Sequence, residues 1–122
     1  MLKAVRGAIT ARENSREAIR EASRRLLGEL LQRNRLRPEK VLTIIFSLTR
    51  DLTRLNPAQV LRELGFTATP LFCVQEAEIL GALEKVVRVL VLYAGPRRRK
   101  AVAVYLEEAR ELRPDLAGEP EA

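Results

Sequence analysis

The chain has 122 residues, 47% of them hydrophobic, with 22 Lys and Arg against 16 Asp and Glu and a net charge of +6. That is the length of one domain with enough apolar material for a core, which excludes wholesale disorder. There is no His and only one cysteine, Cys73. Serine-triad chemistry, histidine proton shuttles, most catalytic zinc sites, an intramolecular disulfide and a cysteine metal cluster are therefore excluded. The cations are 18 Arg and 4 Lys. Arginine's planar fork suits carboxylates and phosphates, so the bias points to anionic partners, although a GC-rich genome gives the same count. No stretch approaches the ~20 apolar residues of a membrane span, and the start, Met1 to Arg6, lacks the apolar region of a signal peptide. A cytoplasmic, metal-free single-domain protein is expected.

Taken in chain order, Leu2 to Thr10 reads as a strand broken by Arg6-Gly7. Asn14-Ser15-Arg16-Glu17 has the pattern of a helix cap with Glu in the first turn. Ile19, Ala22, Leu26, Leu27, Leu30 and Leu31 then recur at spacings of three and four, predicting an amphipathic helix from about Ser15 to Asn34. Val41 to Leu48 is apolar and β-branched, a strand covered on at least one face. Asn56-Pro57 opens a short helix through Leu64 that Gly65 stops. Pro70 to Val74 predicts a short strand, and Val86 to Tyr93 is the strongest strand in the sequence. Gly95-Pro96 with Arg97 to Lys100 reads as an exposed hairpin tip, Ala101 to Leu106 as a last strand, and Glu107 to Leu112 as a helical turn ended by Arg113-Pro114. From Asp115 the chain is polar, and a frayed tail is expected.

The predicted order β-α-β-α-β-β-β is an α+β domain, a mixed β-sheet with one long helix packed across it. One helix cannot cover both faces of such a sheet, which favours an oligomer. Arg88 is the most informative residue, because it interrupts an otherwise apolar strand. A guanidinium there needs an anion, and either a protein carboxylate or a ligand could supply it. Arg6 repeats the theme beside Gly7, which permits close backbone approach. Two strand arginines could converge on one small anion. Cys73, with no His to activate it, reads as a small buried hydrophobe rather than a nucleophile. Aromatic residues are only 4% of the chain, so base stacking is poorly supported. No phosphate-binding glycine loop and no metal-ligand spacing occurs.

The same residues carry a family pattern. Arg6-Gly7-Ala8, Asp51-Leu52 with Pro57-Ala58, and Arg62-Glu63-Leu64 come first; Cys73 to Glu76, Arg88-Val89, Val104-Tyr105-Leu106 and Leu112 to Leu116 follow. In this order and spacing the chain resembles the monofunctional chorismate mutases of the AroH class, the Bacillus type, over about residues 3–116. The resemblance implies a trimeric α+β fold with active sites in clefts between subunits. It implies a cytoplasmic isomerase of the shikimate pathway that converts chorismate to prephenate on the Phe and Tyr branch of aromatic amino-acid biosynthesis. No cofactor, nucleic acid or membrane is involved. Carried over by position, Arg6, Cys73, Glu76, Arg88 and Tyr105 would be catalytic. Those five with Arg62, Leu71, Phe72, Leu112 and Arg113 would hold the substrate. The domain would run over residues 1–116, with a flexible tail at 117–122. Asn56, Gln59 and Ala103 depart from the family's usual Phe, Lys and His, and the first two flank the pocket entrance.

The composition suits that chemistry. Chorismate is a dicarboxylate, and its unimolecular pericyclic shift transfers no proton and forms no covalent intermediate, so neither His, metal nor nucleophile is needed. The resemblance would make Arg88 the donor to the ether oxygen, Glu76 the group facing the ring and its hydroxyl, Arg6 and Tyr105 the holders of the side-chain carboxylate, and Cys73 a helper at the hydroxyl. Two other readings are weaker. A non-catalytic metabolite-binding trimer need not keep Arg6, Glu76, Arg88 and Tyr105 together, and a basic nucleic-acid-binding protein rests only on net charge and the 97–100 cluster.

Overall fold

A computed structural model describes residues 1–117. Strands β1 (Leu2–Thr10), β2 (Val41–Leu48), β3 (Leu71–Gln75), β4 (Val86–Ala94) and β5 (Val104–Leu106) form one sheet in the order β3-β2-β4-β1-β5. The central pairs β2–β4 and β4–β1 are antiparallel, whereas the edge strands β3 and β5 run parallel to their neighbours. Helix α1 (Arg16–Arg33) lies across one face, and the short α2 (Ala58–Glu63) packs beside it. The mixed sheet and the long helix match the α+β expectation.

Period-two alternation divides the sheet residues. Val5, Ile9, Ile44, Phe46, Val87, Val89, Val91 and Tyr93 meet Ile19, Leu26, Leu27 and Leu30 of α1, with Val60, Leu61 and Phe66 closing the end. Gly7 sits where that packing is tightest. A β-carbon there would come within 2.8 Å of the Val104 carbonyl oxygen and 3.1–3.2 Å of the δ-carbons of Leu26 and Leu30. Among the described residues the opposite face has no long helix across it. Its small cluster of Ala8, Val86, Tyr105 and Ala109 covers only the β5 end. Leu2, Phe72, Val74 and Leu90 stay 61%, 65%, 43% and 38% exposed.

The expected cap of α1 is present, and three later expectations change. The cap of α1 is Ser15, whose hydroxyl accepts from the Ala18 amide at 3.1 Å, while Asn14 instead bonds Thr53 across the gap to the 49–56 loop. The last strand begins at Val104 rather than Ala101, because the Asn34 side chain takes both the Val102 N–H and its carbonyl (2.7 and 3.0 Å), removing them from the ladder. Residues 97–100 form an exposed loop, as expected, but not a hairpin tip: the chain crosses over and β5 pairs with β1, not β4. After the 3₁₀ turn Glu107–Glu111 comes a further helical turn, α3 (Pro114–Ala117), where fraying was expected from Asp115. The expected tail, apart from Ala117 at the end of α3, lies outside the described residues. Among the described residues no helix is long and apolar enough to cross a membrane.

Candidate active site

The alternation that buries Val87 and Val89 against α1 turns Arg88 to the open face, opposite Ala8 on β1 and Ser47 on β2. Its Nε donates to both carboxylate oxygens of Glu76 at 2.9 and 2.8 Å, with side-chain exposures of 42% and 20%. The two Nη groups have no hydrogen-bond partner among the described residues. A protein carboxylate thus satisfies one edge of the guanidinium, as one of the two readings of this arginine expects, and the Nη edge still has donors to offer.

The backbone around the pair is fixed from both sides. The Glu76 amide donates to the Leu48 carbonyl at 2.8 Å, which holds Glu76 at the end of the β2–β3 pairing. Thr49 Oγ1 accepts from the Val86 amide at 3.0 Å and donates to Asp51 at 2.6 Å. The Asp51 carboxylate in turn accepts from the Lys85 amide at 3.0 and 3.2 Å. This clamp sets where β4 enters the sheet, and hence where Arg88 stands.

Arg6, Ser47, Arg88, Leu90 and Tyr105 line a depression of about 250 Å³ on the open face. It is not the largest concavity, since one of about 540 Å³ lies under the 76–84 loop. It is singled out by converging cations rather than by size. Arg6 has no ion-pair partner among the described residues. Beyond β5, Leu112 packs against the Tyr105 cluster. Arg113 forms a forked pair with Asp115 at 3.1 and 2.7 Å. That pairing raises the Arg113 pKa and holds the Asp115 carboxyl below the usual carboxylate range, with Arg6 adding to the effect on Asp115 and Tyr105 to that on Arg113. The C-terminal turn thus reaches the Arg6–Tyr105 side of the depression.

The other expected site residues lie elsewhere in the chain. Leu71 and Cys73 pack against the helix-side core, and burial pushes the Cys73 thiol up, so it remains a neutral thiol near neutral pH. Phe72 lies on the open face at the outer edge strand. Arg62 is exposed on α2, on the helix-covered side, with no ion pair among the described residues. One chain therefore gathers Arg6, Glu76, Arg88, Tyr105, Leu112 and Arg113 but keeps Arg62, Leu71 and Cys73 apart from them. Sequence reasoning missed Ser47, whose signal was a hydroxyl at the alternate, open-face position of an apolar strand. The departures have local partners: Asn56 caps α2 at the Ala58 amide (2.9 Å), Gln59 accepts from Arg16 (3.4 Å), and Ala103 packs near Tyr105.

The family profile described as chorismate mutase type I matches residues 2–116. The chain is 41% identical over 118 residues to the Thermus thermophilus protein named chorismate mutase AroH, covering 95% of this chain and 97% of that one. To its Bacillus subtilis (strain 168) namesake it is 34% identical over 119 residues, 96% and 94% of the two chains. A solved chorismate mutase from Clostridium thermocellum superposes with a TM-score of 0.84 at 34% identity, over 89% of this chain and 98% of that one. A family match across nearly the whole chain, joined to a fold shared at this identity, shows that the chain belongs to the type I chorismate mutases.

Proposed function

We propose that the chain carries out its family's reaction, the rearrangement of chorismate to prephenate, at the Arg6–Arg88 face, in clefts that neighbouring subunits of a homotrimer complete. The observation that carries this reading is the guanidinium of Arg88, held on its Nε edge by Glu76 and unpartnered at both Nη groups. As the ether C–O bond of chorismate breaks ahead of C–C formation, negative charge grows on the ether oxygen. An Nη donor fixed in advance meets that charge without reorganising. Glu76 faces the ring, takes its hydroxyl and balances the positive charge that develops there. Arg6 and Tyr105 hold the side-chain carboxylate, and the cleft selects the folded conformer in which the reacting carbons meet.

Arg62, Leu71 and Cys73 belong to the same site only if a second chain supplies them, since their own chain keeps them on the helix side. The uncovered face with its exposed Leu2, Phe72, Val74 and Leu90 supports such an assembly. A cytoplasmic location follows from the same reading. The test is loss of chorismate absorbance with purified protein and no added cofactor. Enzyme-proportional conversion to prephenate is expected, and stable absorbance at micromolar protein contradicts the proposal.

A further inference from the structure

A strongly cationic concavity lies away from the open face. A cleft of about 410 Å³ lies at the far end of β1 and β4, between the C-terminal end of α1, the Pro38–Lys40 turn and the 95–99 loop. Lys3, Arg35, Arg37, Lys40 and Arg99 line it, and no carboxylate does. Only Arg37 has an ion-pair partner among the described residues, Glu39 at 3.4 Å. The four cations left unpaired around one small volume repel each other, and salt or a bound anion relieves that repulsion.

The cleft is also built, rather than merely charged. Lys3 donates to the carbonyl oxygens of Pro96 (3.0 Å) and Arg99, tying the loop down as one wall and keeping a third N–H uncommitted. Gly95 lets that loop close, since a β-carbon there would stand 3.0 Å from the Tyr93 ring and 3.2 Å from Lys3. The Tyr93 ring is buried, and its hydroxyl has no hydrogen-bond partner among the described residues. The opposite wall is the end of α1, where cations have an ordinary explanation in the negative end of the helix. That explanation is weakened here, because three of the last four carbonyls, those of Leu30, Leu31 and Gln32, are already taken. Asn34 N–H and Nδ2 donate to Leu30, Arg35 N–H to Gln32, and Leu36 N–H to Leu31. Nor does the backbone call for arginine at position 35. Its φ of +52° is the left-handed conformation that Gly or Asn adopts at less cost.

We propose that this cleft is a second ligand site, which takes a small, multiply charged anion bearing phosphate or carboxylate groups. It is separate from the open-face site, since Lys3 and Tyr93 lie on the helix side of the sheet while Arg6 and Arg88 lie on the other. The exposed Arg97, Arg98 and Lys100 beyond its rim extend the positive field and speed capture of the anion. Its volume falls within the ordinary range of small-molecule sites, roughly 300–1,000 Å³.

The test titrates the full chain with inorganic pyrophosphate and, separately, with citrate, at about 0.15 M salt so that weak surface attraction is screened. Calorimetry and thermal melts follow binding, beside the chorismate assay. Saturable binding of one anion per chain is expected, with chorismate turnover not inhibited competitively; the tighter probe identifies the phosphate or carboxylate class. Arg99→Gln and Arg35→Asn should each weaken binding about tenfold, the scale of one lost charge-assisted contact. Arg35→Asn should do so with an unliganded melting temperature no lower than wild type, because Asn tolerates the left-handed backbone. Three results overturn the site. One is binding of neither probe, or binding in both variants as tight as in wild type. Another is binding that competes with chorismate and disappears in Arg88→Gln. The third is a single-stranded oligonucleotide that binds through Arg97, Arg98 and Lys100 while neither small anion saturates.

Discussion

At the scale of single residues, Arg88 is the side chain whose loss should tell most. If its Nη groups stabilise charge present only in the transition state, its loss should lower kcat far more than it raises KM. Arg88→Gln is expected to cost at least ~10²–10³-fold in kcat, the scale of losing one preorganised oxyanion donor. Arg88→Lys keeps the charge, loses the fork that Glu76 grips through Nε, and should rescue only in part. If Arg88 served only to neutralise Glu76 in the fold, activity would fall with the folded fraction. Melting curves beside steady-state kinetics separate the two outcomes. Cys73 supplies a second expectation at this scale. Ordinary carboxylates, guanidinium groups and phenols titrate outside about pH 6 to 8.5, and the chain has no His. The one thiol has its pKa raised by burial, which moves its ionisation further toward alkaline pH. Turnover should therefore be nearly flat across that window. A bell-shaped kcat profile centred on neutrality would reveal an acid–base pair outside this mechanism.

Elements translate those residues into positions. Gly7 lets β5 and α1 approach β1, so Gly7→Ala must displace the Val104 carbonyl, and Tyr105 with it. A loss of about 1–3 kcal/mol is expected, the usual cost of overpacking, together with a fall in turnover that denaturant titration and kinetics on the folded protein can separate. An unaltered midpoint would mean that β5 gives way freely. Most elements were legible in the sequence because their patterns are local: the 3.6-residue period of α1, the β-branched runs of β2 and β4, and the Pro57 and Gly65 limits of α2. The shortened β5 was not legible. It depends on Asn34, 68 residues before Val102, taking a backbone N–H and carbonyl that the strand pattern assigned to the sheet. Its parallel pairing with β1 was equally hidden, because a run of basic residues after Gly95-Pro96 reads as a hairpin whichever strand comes next. At the site, Arg6 and Arg88 stood out as charges in apolar strands. Arg62, Phe72 and Arg113 have no such local contrast and came only through the family resemblance. Ser47 was missed because one hydroxyl in a strand is ordinary.

For the whole molecule, the central claim is that catalysis happens between chains, with Arg88 from one and Arg62 from its neighbour. The separation of these two residues onto opposite sides of one protomer makes the claim testable by mixing. Arg88→Gln and Arg62→Gln proteins should each be nearly inactive alone. Unfolded together in equal amounts and refolded, they should form mixed trimers in which some clefts would take Arg88 from an Arg62→Gln chain and Arg62 from an Arg88→Gln chain. Random assembly makes about a quarter of the clefts intact in this way, so chorismate turnover should recover to about a quarter of the refolded wild type. A mixture no more active than its two parents, from proteins that refold to the wild-type mass and melting temperature, would contradict the account.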